Sequence, residues 1–285
     1  MNILVVRQGA LGDVIMATGV VRALGEKYPG ATIDVATDSP EVFNHSNRVR
    51  SAGTKNNYDK NSYDKVIDLD LAYELTPGMH AIDAYASRAE IDHNVTDLHT
   101  EIFVQPEHHA FLAQVGLPEK FVVLHQRNHF WPNRNLSAEF YIELTSKIIA
   151  LTGHAVVQVG GGYDYSFGNI DGCLYDLTQQ LSLHQTAALI TRAQAFVGID
   201  AGPMHIASTT TTPIVGMFTS VRAEYREARN RTAPHISIAS AIDCYGCVEH
   251  LPVPLTQYHC ERGDAECTRR FSADSVVEKL KTLLK

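Results

Sequence analysis

Long apolar runs are the first thing this sequence lacks: no stretch approaches the roughly eighteen uncharged residues that cross a bilayer as a helix, so a membrane span is not expected. A secretory leader is not expected either. After Met1 a short apolar run, Asn2 to Val6, stops at Arg7 without the charged start, longer apolar core and small-residue cleavage site of a signal peptide. A cytoplasmic location is therefore expected. There are no homopolymeric or Pro/Ser-rich tracts, and the mean hydropathy is −0.12; disordered, collagen-like and coiled-coil chains are excluded. Positive charge is in deficit, 24 Lys and Arg against 32 Asp and Glu for a net −8. The molecule as a whole exerts no long-range pull on nucleic acid or anionic lipid. Both familiar glycine fingerprints, G-x-G-x-x-G and G-x-x-x-x-G-K-[ST], are absent from the first strand-to-helix turn, which removes the main support for a nicotinamide dehydrogenase or a P-loop ATPase.

What is present is an ordinary globular composition, 45% hydrophobic and 20% charged over 285 residues, long enough for two domains. Strand-like apolar runs at Ile3 to Val6, Ile33 to Ala36 and Val66 to Leu69 alternate with amphipathic segments, the pattern of a parallel sheet. From Asp13 to Tyr28 the apolar residues Val14, Ile15, Ala17, Val20, Val21 and Leu24 keep a helical period, and Pro29-Gly30 ends it. The stretch Asn44 to Asp64 is polar and aperiodic and reads as a long loop.

A second series begins at Phe121 to Leu124. It continues with a helix near Ala138 to Leu151, a strand at Ala155 to Val159, a helix near Leu183 to Ala193, a strand at Ala195 to Val197, a helix from Gly202 and a strand at Ile214 to Phe218. The polar segment Gln105 to Lys120, with Pro106 and Pro118, reads as the crossing between halves. The expected architecture is two Rossmann-like α/β domains, 1–115 and 116–285, facing across a cleft. Ligands of such sheets bind beyond the carboxyl ends of the strands, so active residues belong in strand-to-helix loops.

Two of those loops carry chemistry. In Arg7-Gln8-Gly9-Ala10-Leu11-Gly12-Asp13, Gly9 and Gly12 let the backbone approach a ligand closely. Asp13 is either a first-turn acid that complements the helix dipole or a carboxylate placed to take a proton from an attacking hydroxyl. In Asp200-Ala201-Gly202-Pro203-Met204-His205 a helix opens with Pro in its first turn, and backbone amides at Ala201, Gly202, Met204 and His205 make a candidate site for an anion such as pyrophosphate.

Together these strings, with Trp131-Pro132 and Gly160-Gly161-Gly162, resemble the heptosyltransferase family of inverting GT-B glycosyltransferases. The resemblance implies a GT-B fold, transfer of a sugar from ADP-heptose or a similar donor to a hydroxyl, and Asp13 as catalytic base. It also implies a donor site at Asp200, Ala201, Gly202, Met204 and His205, with Gly161, Gly162 and Asp164 near the nucleotide. The sequence departs from the family at Ala201, where Thr or Ser is usual, and at His129, where a lysine is common. Arg127 or Arg134 is the expected substitute for that missing charge. The other reading of Asp164 is a solvated loop acid.

Four of five cysteines crowd the last quarter as Cys244-x2-Cys247-x12-Cys260-x6-Cys267. The spacing suits a tetrahedral thiolate site for a structural zinc or iron ion, with disulfides the rival reading. This finger, about 243–268, precedes a carboxy-terminal helix and also resembles the iron-containing motif of bacterial autotransporter heptosyltransferases. No catalytic metal is expected. The partners anticipated are a nucleotide-diphosphate sugar and a protein or glycan acceptor, with room for a homo-oligomer. Two other readings stand beside this one: a catalytically silent scaffold of the same fold, and a nucleic-acid glycosyltransferase using the basic stretch Arg48, Arg50, Lys55, Lys60 and Lys65.

Overall fold

Strands covered on both faces need unbroken apolar runs, and the first run forms the central strand of the amino-terminal unit. The computed structural model describes the whole chain except residues 95, 128–130, 230, 231, 251–259 and 285. His129 and the middle of the cysteine finger therefore lie outside the described residues. Two compact units are present, Met1–Gln105 joined by Arg229, and Pro106–Ala228 with the chain from Thr232 onward.

The first unit contains β1 (Asn2–Val6), α1 (Leu11–Lys27), β2 (Thr32–Ala36), β3 (Ser51–Gly53), β4 (Lys65–Asp68) and α2 (Ala81–Arg88). Its sheet runs β3-β2-β1-β4, all parallel, with Ile3 beside Ile33 and Leu4 beside Val66. α1 buries Val14, Ile15, Val20, Val21 and Leu24, the residues whose spacing announced it. The stretch Asn44 to Asp64, expected to be a loop, holds the edge strand β3 and two short 3-10 turns. Three residues, Ser-Ala-Gly, are too few to show a period.

The second unit contains α3 (Pro106–Gln114), β5 (Phe121–Leu124), α4 (Ala138–Thr152), β6 (Ala155–Gln158), β7 (Leu174–Asp176), α5 (Leu183–Arg192), β8 (Ala195–Ile199), α6 (Gly202–Ser208), β9 (Ile214–Phe218), β10 (His235–Ala239) and α7 (Ala273–Leu283). The segment read as a crossing is thus partly helical. α3 packs on α5, with the rings of His108 and His184 stacked 5.1 Å apart, so the division between units falls at Gln105. Leu112 is the only buried residue of α3, which is why its helical period is faint. Caps set other ends: Ser137 accepts from the Phe140 amide at the start of α4, and Gly153 closes it in the left-handed region at φ 71°. Ser182 and Gln185 form a reciprocal capping box on α5.

The larger sheet runs β10-β9-β8-β5-β6-β7, again all parallel. Counted from its own first strand, this is the doubly wound order 3-2-1-4-5-6. Val122, Leu124, Val197 and Val215 meet Tyr141, Leu144 and Ile148 of α4 and Val276, Val277 and Leu280 of α7 in one core. In both sheets the strand order reverses beside the first strand, between β1 and β4 and between β5 and β8. Loops leaving those neighbours diverge and open a crevice at their carboxyl ends.

One glycine shows how tightly the first unit is closed. A Cβ on Gly19, in the middle of α1, would stand 2.4 Å from the Leu98 carbonyl oxygen and 3.1 Å from that of His99. Ala is the better helix former by about 1 kcal/mol, but here the obstacle is backbone. Gly19→Ala is expected to destabilise the protein by about 1–3 kcal/mol, the range of overpacked cores, seen as a lower denaturant midpoint. An unchanged or raised midpoint would refute the contact.

Candidate functional site

At the β1/β4 reversal the first residue past β1 is Arg7, only 5% exposed. A buried guanidinium needs anionic and hydrogen-bonding partners, and the loops supply them. Nε donates to the Tyr85 hydroxyl on α2 at 2.7 Å; Nη1 lies 3.3 Å from Asp70, just past β4; Nη2 lies 3.2 Å from Asp13 and 3.9 Å from Glu74. The rings of Tyr73 and Tyr85 stand 5.6 and 5.4 Å from the guanidinium carbon. Burial opposes the Arg7 charge, but Tyr85, Asp13, Tyr73 and Glu74 outweigh it and hold the pKa above the ordinary arginine value. Burial also pushes the Glu74 carboxyl upward, and its Oε2 is buried without a hydrogen-bond partner.

Asp13 sits in the first turn of α1 but does not cap it; the cap position is Ala10. Its carboxylate is engaged instead by Arg7 and by the Tyr73 hydroxyl, which donates to Oδ1 at 2.9 Å. Gly9 takes φ +98°, closed to most side chains, and its amide donates to Asp38 at 3.1 Å. Gly12 is buried within α1. Tyr73, Glu74, Asp70 and Tyr85 did not stand out in the sequence. The one available signal was Asp68-x-Asp70 at the end of a strand.

At the β5/β8 reversal of the second unit, Asp200 follows β8 and is buried with an arginine and a histidine beside it. Arg134 Nη1 lies 2.8 Å from Oδ2, and His205 Nε2 lies 3.3 Å from Oδ1. Burial opposes ionisation of Asp200, yet Arg134, His205 and Arg226 outweigh it and hold its pKa down at about 2. An ionised carboxylate only accepts, so His205 Nε2 carries the proton between them. Arg134 also stacks 4.6 Å over the Trp131 ring. Its guanidinium thus joins the Trp131 ring to the Asp200 turn.

The anion site at the start of α6 is narrower than expected. The amides of Met204 and His205 both point to the Ala201 carbonyl, at 3.0 and 3.4 Å, and Pro203 has no N–H. Only the Ala201 and Gly202 amides remain for a ligand among those named. The Met204 side chain is buried near Gly216 and offers a ligand nothing. α6 begins its hydrogen bonding at once, so the Met204 and His205 amides are engaged within the helix.

Asp164 is not a solvated loop acid. Its side chain is 4% exposed, and it accepts from the Arg127 and Gly161 amides, each at 2.9 Å. It ties the loop after β5 to the glycine run after β6, with Gly161 and Gly162 left exposed. Arg127 lies over the Tyr165 ring at 4.8 Å and lines a groove of about 550 Å³ with Asn135, Phe140, Thr268 and Phe271.

Cys244, Cys247, Cys260 and Cys267 are all free thiols. They are close enough to act on each other electrostatically. Burial first, then the neighbouring thiols, pushes Cys247 above the usual range and Cys267 to about 11. Among the described residues no three of these sulfurs lie within 4.8 Å of one another, so the structure does not gather them into a closed thiolate site. By contrast, four of the five residues of the basic stretch have acidic partners within their own unit: Arg50 pairs with Asp34, Arg48 with Glu101, Lys60 with Asp68 and Lys65 with Glu90. These pairs lower the positive charge this stretch presents to a nucleic acid. Among the described residues no helix is long and apolar enough to cross a membrane.

Known proteins bear on this geometry in three ways. No curated protein sequence matches the chain significantly. Solved structures do match: a glycosyltransferase family 9 protein from Veillonella parvula DSM 2008, 16% identical with a TM-score of 0.76 over 99% of this chain and 97% of that one. ADP-heptose LPS heptosyltransferase II of E. coli is 18% identical with a TM-score of 0.73, over 100% and 98% of the two chains. The iron-containing dodecameric glycosyltransferase TibC of enterotoxigenic E. coli H10407 is 14% identical with a TM-score of 0.76, over 99% and 78%. These likenesses give the fold, GT-B. The model of glycosyltransferase family 9 (heptosyltransferase) matches residues 88–251, more than half of the chain. The protein belongs to that family and is a glycosyltransferase.

Proposed function

We propose that this chain transfers a heptose from ADP-heptose to a hydroxyl of a protein or glycan, with inversion at the anomeric carbon and Asp13 as the base. The observation that carries the reading is the Asp13 carboxylate, seated at a crevice-forming turn and held at one oxygen while the other accepts from no described residue. ADP-heptose as donor is supported by the family and by heptosyltransferase TibC, whose structure is known with ADP-D-β-D-heptose bound. The acceptor O–H passes its proton to Asp13, its oxygen bonds to the anomeric carbon, and the bond from that carbon to the phosphate breaks with its electrons leaving on ADP. In the second unit the Ala201 and Gly202 amides would meet the charge that develops on the diphosphate. Asp200, held by Arg134 and His205, would fix the turn that presents them.

We further assign Cys244, Cys247, Cys260 and Cys267 as ligands of one structural zinc or iron ion, which supplies a cross-link and no chemistry. TibC, a relative in fold, contains iron. In a reducing cytoplasm such thiols take up metal instead of pairing.

Asp13→Asn is expected to lower ADP release from ADP-heptose, with water as acceptor, by about 10²-fold or more, the scale of general base catalysis. Calorimetric affinity for ADP should stay within a few-fold. Equal release by both proteins would remove Asp13 from the mechanism. Gly202→Val, which brings a branched side chain to the remaining free amides, should weaken ADP binding about tenfold or more, as losing a charge-assisted hydrogen bond does. Unchanged affinity in a folded variant would put the diphosphate elsewhere. Elemental analysis of protein purified without chelator should find about one zinc or iron per chain, as a closed thiolate site requires, and Cys247→Ser should lose it and lower the melting temperature. Metal-free protein as stable as the native form would refute the assignment.

A further inference from the structure

Two donors converge on one oxygen of Asp13. The Tyr73 hydroxyl is 2.9 Å from Oδ1 and Arg7 Nη2 is 3.2 Å from the same atom. Oδ2 accepts no hydrogen bond from a described residue, and it faces Gly9, where a Cβ would stand 3.9 Å away. Neither donor is loose. Arg7 is pinned through Nε by Tyr85 and through Nη1 by Asp70, and the Tyr73 and Tyr85 rings lie against each other with centroids 5.9 Å apart.

We propose that Arg7 and Tyr73 are positioning residues for the Asp13 base: they occupy Oδ1, fix the carboxylate plane, and leave Oδ2 as the atom that takes the acceptor's proton. The inference rests on the reading of Asp13 as base. A carboxylate free to rotate about its bond to Cβ would offer either oxygen in many orientations, whereas general base catalysis needs one lone pair aimed at the hydroxyl. One hydrogen bond and one ion pair on the same oxygen oppose that rotation. After proton transfer Oδ2 bears the hydrogen and Oδ1 remains an acceptor, so Tyr73 and Arg7 keep their places through the reaction. The groups facing this centre are Arg7, Tyr73, Glu74, Asp70 and Tyr85, with Asp38 on the Gly9 amide. Arg7 is the single cation among them, and the carboxylates of Glu74 and Asp70 share it with Asp13. Gly9 then has a second use, because a side chain there would stand beside Oδ2, where the acceptor must enter.

The test uses Tyr73→Phe in the full-length protein, which keeps the ring against Arg7 and removes the hydroxyl that donates to Asp13 and also bonds Glu74. ADP release from ADP-heptose with water as acceptor should fall about tenfold in kcat, the size of losing a hydrogen bond to a charged group. The KM for ADP-heptose and the calorimetric affinity for ADP should stay within about twofold. Placed on Asp13→Asn, the same change should cost nothing further, since it acts through the lost carboxylate. Arg7→Lys, which keeps the charge, should retain more activity than Arg7→Met at matched melting temperature. A Tyr73→Phe protein with wild-type kcat, or one whose loss adds in full to that of Asp13→Asn, would overturn the inference while the base reading stands. Wild-type release by Asp13→Asn would overturn both.

Discussion

A guanidinium drawn out of water must find acceptors, and each unit of this protein sets one against an aspartate beside the point where its strand order reverses. Arg7 meets Asp13 beyond β1, and Arg134 meets Asp200 beyond β5 and β8. Breaking a buried pair by removing one partner costs about 3–5 kcal/mol, whereas replacing both by apolar groups is often neutral. Such pairs are poor sources of stability and good sources of position. Each requires loops from different strands to converge on one point: residues 7, 70, 73 and 85 in the first unit, and residues 131, 134, 200 and 205 in the second.

The strand order makes these convergences possible. Between β1 and β4, and between β5 and β8, consecutive connections leave on opposite faces of the sheet and open a crevice that neither sheet fills with its own side chains. The polar groups that line a crevice must satisfy each other until a ligand arrives. Asp164 illustrates this: buried, it takes the Arg127 and Gly161 amides and so ties the loop after β5 to the glycine run after β6.

The sequence announced what is local and periodic. β1, α1, β5, β8 and β9 are continuous apolar or helical patterns, and the Gly9-to-Asp13 turn is marked by glycine followed by an acid at a helix start. Short or weakly covered elements were hidden: β3 has three residues, β10 is only partly buried, and α3 buries one side chain. In the site, Asp13 was legible because its turn is contiguous. Tyr73 and Tyr85 were not, since sixty or more residues separate them from Asp13 and Arg7 and they are brought in by the β4 pairing. The Asp200 motif was legible as a string, but which amides stay free depends on where α6 starts its hydrogen bonding. That is decided by the Ala201 carbonyl reaching both Met204 and His205.

The cysteine finger is joined to the same logic. It has little periodic apolar sequence with which to build a core, yet its last cysteine is buried beside the loop that carries Arg134. The Cys267 sulfur lies 3.7 Å from the Asn133 carbonyl, which also accepts from the Thr219 hydroxyl at 2.8 Å, and the Cys267 carbonyl accepts from Ser240 at 2.8 Å. Asn133 precedes the arginine that holds Asp200. The finger, the ends of β9 and β10 and the Trp131-to-Arg134 loop thus share one small hydrogen-bonded junction. Cys267 is thereby tied through the Asn133 carbonyl to the residue next to Arg134, so the last turn of the finger and the loop that holds Asp200 meet at one point.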